Sequence, residues 1–412
     1  MVTVVLPSDC RLTNLVRAIN YYRLNENVCR ELQFKVPNYC YLDCASISFL
    51  ATWGLKQLSN GGKIDFVGSP RVLQYLSRMD LFKILDLGYE EIFKRKPEVG
   101  RFITIKTIKE GQDAYDAVNS ICDLLTHLFE NARSILPAFE WAANEIMDNI
   151  IIHSETKAPG AVCAQYREDI QRLEIGIFDS GRGIKNSLEE SKVLRDHQQA
   201  ITEALKRGVT RNLSIGQGNG LAGSREIIIQ NQGSLNIWTG DAEYKILNGK
   251  EIGTSNHSFT MGTGLLLSLD VNRPVDLSNT FIGKPSWNYL NAECERIAEM
   301  GGIKVVDECF HTGVRETAKK LRRKILTMLP DIEDKLNIDF SGITRASSSF
   351  LDELLGRLVQ EIGTDTFFEK VAITNANQDL IDMANVVIKQ RIVGLEGVKE
   401  PSNRLMRWIK RM

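Results

Sequence analysis

The sequence lacks the features that place a protein in a membrane or outside the cell. None of its apolar runs reaches the ~18 residues that a membrane-spanning helix needs. The N-terminal MVTVVLPSDCRL has no basic segment followed by a long apolar one, so we expect no signal peptide and a cytoplasmic location. With 43% hydrophobic and 25% charged residues, the 412-residue chain has the composition of a globular protein with buried cores.

The chain also lacks an excess of charge of either sign. Its 51 Lys and Arg residues nearly balance 52 Asp and Glu residues, for a formal net charge of -1. A surface for nucleic acid or for an anionic membrane carries a positive excess, so we expect neither partner. The short basic end, RLMRWIKRM, is interpreted as a solvated helix end.

A disulfide framework is absent as well. The eight cysteines are scattered, and Cys40 and Cys44 in CYLDC are their only close pair. Three residues separate the two, and no second Cys or His pair follows. We therefore interpret them as buried reduced thiols rather than as zinc ligands.

The first 98 residues alternate between strand and helix patterns. In order, we predict a strand, a long helix, a strand, a helix and a strand at MVTVVLP, RLTNLVRAINYYRLNENVCREL, YCYLDC, WGLKQL and KIDFVG. This alternation is typical of an α/β domain with a mainly parallel sheet. The polar segment KRKPEVG is then interpreted as a linker.

The middle of the chain mixes its elements in the order of an α+β domain. We predict a strand at RFITIKTIK, helical structure over about 115–154, a strand at 172–178, a helix at 221–231, and strands at SLNIWTG, SFTMG and TGLLLSLDV. Residues 185–217 form a long polar insert, interpreted as a mobile loop with one helix, HQQAITEALKRG.

A second linker, NRPVDLSN, precedes the last region. There LNIDFSGITRASSSFLDELLG and VAITNAN repeat the strand, turn, helix and strand order of the first 98 residues. The sequence therefore predicts a multidomain α/β and α+β chain with domains at 1–98, 99–273 and 280–412.

The helix predicted from NEIMDNIIIHS carries a polar stripe beside its apolar face. Glu145, Asn149 and His153 recur every four residues and so lie one above another. Three polar side chains on a half-buried stripe need partners. Neighbouring side chains at a water boundary would satisfy them, and so would a ligand, and the helix alone leaves both interpretations open.

A strand end at IFDSGRGI favours a ligand. Asp179 is followed by Gly181 and Gly183, which let the backbone approach a flat molecule closely. A carboxylate there can accept a hydrogen bond from an exocyclic amine such as that of adenine. A tight turn uses the same residue types and is the alternative.

A second glycine cluster, GQGNGLAG, has two interpretations. Gly216, Gly218 and Gly220 lead into a predicted helix, whose free N–H groups can bind phosphate. GNGLAG also matches the dinucleotide-binding pattern Gly-x-Gly-x-x-Gly, with Asp241 about twenty residues later. That fold needs a buried strand directly before the glycines, whereas KRGVTRNLSIGQ is mostly polar, so the Rossmann-type interpretation is kept as a minor alternative. The sequence contains no Gly-x-x-x-x-Gly-Lys-Ser/Thr stretch, so a P-loop is not supported.

In order, NEIMDNIIIHS, DSGRGI, GQGNGLAG and MGTGLLLSL resemble the N box, the two glycine boxes and the terminal Gly-Thr of the GHKL ATPases. That superfamily includes gyrase, Hsp90, the mismatch-repair MutL proteins and histidine kinases. The Glu-x-x-x-Asn-x-x-x-His spacing is most similar to that of the anti-sigma-factor serine kinases. The resemblance covers roughly residues 100–272 and implies a central Bergerat-type α/β sandwich that binds ATP and Mg²⁺.

The resemblance implies a role for each matched residue. Glu145 would be the general base, and Asn149 would bind ATP through Mg²⁺. Asp179 would accept from the adenine amino group, with support from the Thr263 hydroxyl. The remaining ATP-binding residues would be Gly181, Gly183, Ile184, Gly216, Gly218, Asn219, Gly220 and Leu221. His153 matches the pattern but receives no chemical role.

The last region, LNIDFSGITRASSSFLDELLG, resembles the STAS-like domains found beside such ATPases, and the first domain is a more distant look-alike. In anti-sigma antagonists a serine near this point accepts phosphate from the kinase, and Ser349 falls at that site. A helix N-cap is the alternative role for Ser347–Ser349. Trp53 is the expected counterpart in the first domain, which would then serve only for docking.

Three functions remain open at this point. The first is a serine/threonine protein kinase that acts on a STAS-like domain or on a partner. The second is an ATP-operated switch in which lid closure and dimerisation move the flanking domains. The third is an interaction module with a purely structural ATP site. All three imply ATP and a protein partner for the STAS-like domains, and homodimerisation is allowed.

Overall fold

The computed structural model describes residues 1–22, 31–95, 97–98, 100–128, 135–156, 158–189, 192–206, 209, 220–255, 262–275, 302–309, 311–332 and 335–396. The chain forms two compact units, Met1–Asp276 and Leu277–Met412. The predicted mixture of α/β and α+β structure is confirmed, and the described strands form three sheets. The predicted boundary at residues 98–99 lies inside the first unit and stays a prediction. None of the helices in these ranges is long and apolar enough to cross a membrane.

A three-stranded parallel sheet begins the first unit. Its elements are β1 (Val2–Val5), α1 (Leu12–Tyr21), β2 (Glu31–Val36), α2 (Cys44–Ser59), β3 (Lys63–Gly68), α3 (Pro70–Arg78) and α4 (Leu81–Ile84). The strands lie in the order β1–β2–β3. Leu12, Leu15 and Ile19 recur at helical spacing and are buried, so α1 forms by covering this sheet with one apolar face.

The strand predicted at YCYLDC is wrong. The second strand is ELQFKV, whose alternate residues are buried, and α2 begins at Cys44 rather than near Trp53. The side chain of Asp43 accepts a hydrogen bond from the Ser46 N–H at 2.8 Å. Because this cap satisfies one of the free N–H groups at the helix start, YCYLDC leads into a helix instead of forming a strand.

A seven-stranded sheet completes the first unit. Its elements are β4 (Phe102–Ile108), α5 (Gly111–Leu128), α6 (Leu136–His153), β5 (Gly160–Arg167), β6 (Arg172–Asp179), α7 (Gly183–Leu188), α8 (His197–Ala204), α9 (Gly220–Asn231), β7 (Ser234–Thr239), β8 (Ala242–Leu247), β9 (Lys250–Ser255) and β10 (Thr263–Asp270). The order is β4–β5–β6–β10–β7–β8–β9, and every neighbouring pair is antiparallel.

Three of these strands, β5, β8 and β9, are not predicted from the sequence. In β5, GAVCAQYR, the first five residues are all buried, so the alternation that marks a half-exposed strand is missing. In β9 all six residues are exposed, which removes the alternation in the opposite way. The strand β8 was also not predicted. The predicted strand at SFTMG lies outside the described residues except for Gly262.

Helix α2 lies between the two sheets of the first unit. Its Trp53 ring packs edge-on against Phe34 of β2, with ring centroids 5.9 Å apart. Its Phe49 ring packs edge-on against Phe178 of β6 at 5.0 Å. One buried cluster of apolar side chains therefore includes residues of both sheets.

Three small side chains of α2, four residues apart, donate hydrogen bonds to alternate carbonyls of β6. The Cys44 thiol donates to the Glu174 carbonyl at 3.6 Å. The Ser48 hydroxyl donates to the Gly176 carbonyl at 2.8 Å. Further along, the Thr52 hydroxyl reaches the Phe178 carbonyl at 3.4 Å. The helix therefore follows β6 at a distance that large side chains would not allow.

Gly176 makes this approach possible. A Cβ on Gly176 would lie 2.0 Å from the Cys44 carbonyl carbon and 2.3 Å from the Ala45 nitrogen. These are backbone atoms, which cannot turn aside as the end of a flexible side chain can. Any side chain at Gly176 must therefore push α2 away from the sheet.

The substitution Gly176→Ala should lower the free energy of unfolding by about 3 kcal/mol or more, because it overpacks a backbone-to-backbone contact. Urea denaturation measures this loss. Gly88→Ala is the matched control, since a Cβ on Gly88 meets nothing within 4 Å. Equal stability of the two variants would show that α2 and β6 are not in close contact.

The second unit contains a three-stranded parallel sheet with its own helices. Its described elements are β11 (Ile303–Lys304), α10 (Val305–Glu308), α11 (Arg315–Met328), a 3₁₀ helix (Leu329–Asp331), β12 (Leu336–Asp339), α12 (Ser348–Leu351), a π-helical segment (Asp352–Gly356), α13 (Arg357–Ile362), α14 (Thr364–Lys370), β13 (Val371–Thr374) and α15 (Gln378–Glu396). The strand order is β11–β12–β13.

Buried ion pairs hold the π-helical segment to the helices on either side. Asp352 accepts from Arg391 of α15 at 2.6 and 2.7 Å. Burial opposes ionisation of Asp352, but Arg391 and Arg315 hold its pKa below the usual value. Glu353 accepts from Arg322 of α11 at 2.7 Å. Each buried charge is thus paired, as its removal from water requires.

The two three-stranded sheets share one topology. Each runs strand, helix, strand, helix, strand, helix, with parallel strands in chain order. Asp43 caps the central helix of the first copy and Ser347 that of the second. When the two caps are aligned, the residue of the first copy at the position of Ser349 is Ala45. The expected counterpart, Trp53, lies eight residues further along α2.

Candidate functional site

Asp179 ends β6 as a buried carboxyl group. Only 7% of the residue is exposed, and the Gly181 N–H donates to its carboxyl oxygen at 2.8 Å. Thr263, directly opposite on β10, donates through both its N–H and its hydroxyl. Burial raises the pKa of Asp179 to about 7, although these hydrogen bonds favour the charged form. A strongly shifted group of this kind is typical of binding and catalytic sites.

The loop that follows Asp179 packs against the end of α6. A Cβ on Gly181 would lie 2.2 Å from the Ser154 carbonyl oxygen. The Arg182 N–H donates to that same oxygen at 3.0 Å. Gly181, predicted to shape a base pocket, therefore also lets the loop touch the helix that carries the polar stripe.

Gly183 lets the same loop approach the ends of two strands. Its φ is +76°, and a Cβ there would lie 2.7 Å from the Thr239 hydroxyl oxygen. The Thr239 hydroxyl accepts from the Ile184 N–H at 3.1 Å and donates to the Gly262 carbonyl at 3.1 Å. Sequence reasoning missed Thr239, because a threonine before Gly240 at the end of a strand is ordinary for a hairpin.

Helix α6 carries Glu145 and Asn149, both half-buried. Gly220, the first residue of α9, packs on Glu145: a Cβ there would lie 2.8 Å from the Glu145 Oε2 atom and 3.2 Å from its Cβ. The start of α9 thus adjoins the carboxylate predicted to be a general base.

Contacts in the structure link parts of all four sequence motifs. The pairs in contact are Asp179 with Thr263, Gly181 with Ser154, Gly183 with Thr239, and Glu145 with Gly220. Ile184 is buried in α7, Leu221 is half-buried in α9, and His153 is the last residue of α6. The predicted phosphate-binding residues Gly216, Gly218 and Asn219 lie outside the described residues.

The metal-binding predictions rest on donor chemistry. In the described ranges, no group of three or more His, Cys, Asp or Glu side chains could hold a metal ion. The Cys40 thiol donates to the Pro7 carbonyl at 3.4 Å, and Cys44 bonds to β6, which agrees with reduced thiols.

Mg²⁺ needs few protein ligands because it keeps several waters, so the half-buried Asn149 amide oxygen fits the role predicted for it.

Asp179→Asn should change how stability depends on pH. The raised pKa means that the folded protein keeps a proton on Asp179 between pH 3.8 and about 7, where the unfolded chain has lost it. The wild type therefore loses stability as pH rises through this window, by at most about 4 kcal/mol, and the asparagine variant does not.

Urea denaturation at pH 5 and pH 8 measures the difference between wild type and variant at each pH. Asp241→Asn is the control, since Asp241 is exposed. A difference between wild type and Asp179→Asn that stays constant with pH would contradict a raised pKa at Asp179.

Ser347, Ser348 and Ser349 are all buried at the start of α12. Ser347 is the N-cap: its hydroxyl accepts from the Phe350 N–H at 3.0 Å and also bonds to the Gly313 carbonyl at 3.0 Å. The Ser349 hydroxyl lies 3.0 Å from that of Ser347, and the residue is 4% exposed. Phosphate transfer to Ser349 therefore requires the start of α12 to open, and its role as a phosphoacceptor stays a prediction.

Ser347→Ala should lower the free energy of unfolding of the second unit by about 1–2 kcal/mol, because the cap bond to Phe350 is lost. Thermal denaturation followed by circular dichroism reports this change. Ser349→Ala removes a hydroxyl of similar burial that bonds to Ser347, but it leaves the cap bond from Phe350 in place and should cost less. Equal losses in the two variants would argue against a capping role for Ser347.

One comparison with known families bears on the second unit. Residues 317–380, from α11 to α15, match the family model described as STAS-like domain of unknown function (DUF4325). No curated protein matches the chain. The matched segment contains β12, the capped helix that starts at Ser348, and β13. The C-terminal unit of the protein therefore contains a STAS-like domain.

Proposed function

We propose that the protein is a regulatory protein with a GHKL-type site for ATP and Mg²⁺ in its first unit. The observation that carries this proposal is the buried Asp179 carboxyl group, held at a strand end by Thr263 and Gly181. A buried acceptor of this kind suits an amino group of a flat base. The resemblance to GHKL ATPases assigns it to the adenine amine.

The phosphate end of the proposed ligand lies toward α6 and α9. Glu145 adjoins Gly220, at the point where the glycine cluster enters α9. Backbone N–H groups at a helix start favour phosphate oxygens. Asn149, one helical turn from Glu145, would hold Mg²⁺, which supplies charge neutralisation when bound. Glu145 would then take a proton from the attacking water or hydroxyl.

The STAS-like domain supports a regulatory role, because the resemblance pairs such domains with anti-sigma-factor kinases. We propose that the nucleotide state is coupled to the STAS-like units or to a protein partner. A kinase would transfer phosphate to serine or threonine, and Ser349 is the predicted acceptor in this chain. Because Ser349 is buried, a serine or threonine of a partner protein is favoured as the phosphate acceptor over Ser349 itself.

A non-kinase switch is the second candidate function. In that case slow hydrolysis and homodimerisation would change the arrangement of domains without labelling any protein. The dinucleotide-binding alternative has less support, because the strands that follow α9 pair only antiparallel within the described sheet. A dinucleotide fold needs a parallel strand–helix–strand unit at that point.

Incubation with γ-labelled ATP and Mg²⁺ tests the proposal. Glu145→Gln and Asn149→Ala should each lower the rate of phosphate release or transfer by about 100-fold or more, because a general base and a metal ligand are lost. Label on protein identifies a kinase, and free phosphate alone identifies an ATPase switch. Mass spectrometry of labelled protein determines whether Ser349 is modified.

Asp148→Asn is the matched control, since Asp148 is a half-buried carboxylate on the same helix but off the Glu145–Asn149 stripe. This variant should keep most of the wild-type rate. A wild-type protein that fails to bind ATP in equilibrium titration would refute the proposed site. Equal losses of rate in all three variants would indicate that the substitutions disrupt α6 rather than remove catalytic groups.

A further inference from the structure

Thr239 ends β7 in the same row of the seven-stranded sheet as Asp179 and Thr263, which form the base end of the proposed site. On β10, Thr263 pairs with Asp179 of β6 on one side and with Thr239 of β7 on the other. Residues paired across neighbouring strands place their side chains on the same face of a sheet. The three side chains therefore form one polar row across three strands.

The rest of this face is apolar where the three strands lie side by side. The next two rows consist of buried aliphatic residues, namely Ile177, Leu265, Ile237, Ile175, Leu267 and Leu235. Thr239 itself is fully buried. A hydroxyl in such a place costs free energy unless its hydrogen bonds are made. Thr239 therefore depends on the partners that its hydroxyl finds within the protein.

Those partners belong to two different segments beside Asp179. The Thr239 hydroxyl accepts from the Ile184 N–H at 3.1 Å, in the first turn of α7. It donates to the Gly262 carbonyl at 3.1 Å, directly before Thr263. One hydroxyl thus fixes both the segment that follows β6 and the segment that enters β10.

The bond to Gly262 links Thr239 to the carboxyl group. Gly262 has a φ of +63°, and a Cβ there would overlap the Asp179 carbonyl oxygen. Thr263, the next residue, donates to the Asp179 carboxyl group through its N–H and its hydroxyl. The placement of Thr263 therefore depends on Gly262, whose carbonyl is held by Thr239.

We propose that Thr239 is a positioning residue for the base end of the nucleotide site. It acts by holding Gly262 and Ile184 in the geometry that presents Asp179 and Thr263 to the base, and this role rests on the proposed ATP site. Segments that are not fixed in the free protein must be ordered when the ligand binds, which lowers the affinity. Both hydrogen bonds of the Thr239 hydroxyl lie at the base end, so its loss weakens binding and spares the chemistry at Glu145.

Thr239→Val tests this role in the full-length protein, because valine keeps the branched shape and removes the hydroxyl. The dissociation constant for ATP, from equilibrium titration, should rise about 10-fold, the scale expected for lost hydrogen bonds. KM should rise in parallel, and kcat for phosphate release or transfer should stay within about twofold of wild type, as for a loss of uniform binding.

Three further variants separate positioning from general damage. Thr239→Ser keeps the hydroxyl and should restore an affinity within about threefold of wild type. Thr239→Ala lacks the hydroxyl without adding bulk and should weaken binding as valine does. Thr104→Val is the matched control, since Thr104 is a buried threonine of β4, which three strands separate from β7. Its affinity for ATP should equal that of wild type.

Amide hydrogen exchange without nucleotide provides a readout that does not depend on ATP. The peptide that contains Ile184 should lose protection in Thr239→Val and keep it in Thr239→Ser. Unchanged affinity in Thr239→Val and Thr239→Ala, with normal binding by wild type, would overturn the positioning role alone. A fall in kcat at constant KM would overturn it too. Wild-type protein that binds no ATP would refute the proposed function and, with it, this role.

Discussion

The contact of α2 with β6 determines how the first unit is arranged. Helices usually rest on a sheet through bulky apolar side chains, whereas α2 meets β6 through Cys44, Ser48 and Thr52 as well as through the Phe49 ring. Their hydrogen bonds to strand carbonyls and the missing side chain at Gly176 bring the two backbones into direct contact. The second side of α2 packs on β2, so one helix serves as the common core of two sheets.

This arrangement also shapes the environment of Asp179. One face of β6 is covered by α2, and the opposite face, with Leu173, Ile175 and Ile177, is buried as well. Asp179 continues that second face by strand alternation. Water is therefore excluded from both sides of the strand that carries it, and the carboxyl group depends on Thr263 and Gly181 for its hydrogen bonds. The high pKa of Asp179 follows from the architecture rather than from a neighbouring charge.

Motif spacing selects candidate site residues, but it does not identify the residues that contact them. Glu145, Asn149 and Asp179 stood out because polar residues interrupt apolar patterns there. Ser154 and Thr239 did not, because they act through contacts with glycines that are distant in sequence. The same limit applies to the fold. YCYLDC was predicted as a strand because it is apolar, whereas Asp43 forms a local cap with Ser46 and the segment leads into α2. Strand β5 was missed because burial on both faces removes its alternation.

The shared topology of the two three-stranded sheets has a consequence for how the copies diverge. In the second unit, the helix that starts at Ser348 packs against α11 and α15, where leucines such as Leu354 and Leu355 fill the space between helices. In the first unit, the equivalent helix must keep small residues at every fourth position to lie on β6. Substitutions that suit one copy are therefore excluded from the other. One sequence pattern therefore cannot describe both copies, although their strands and helices follow in the same order.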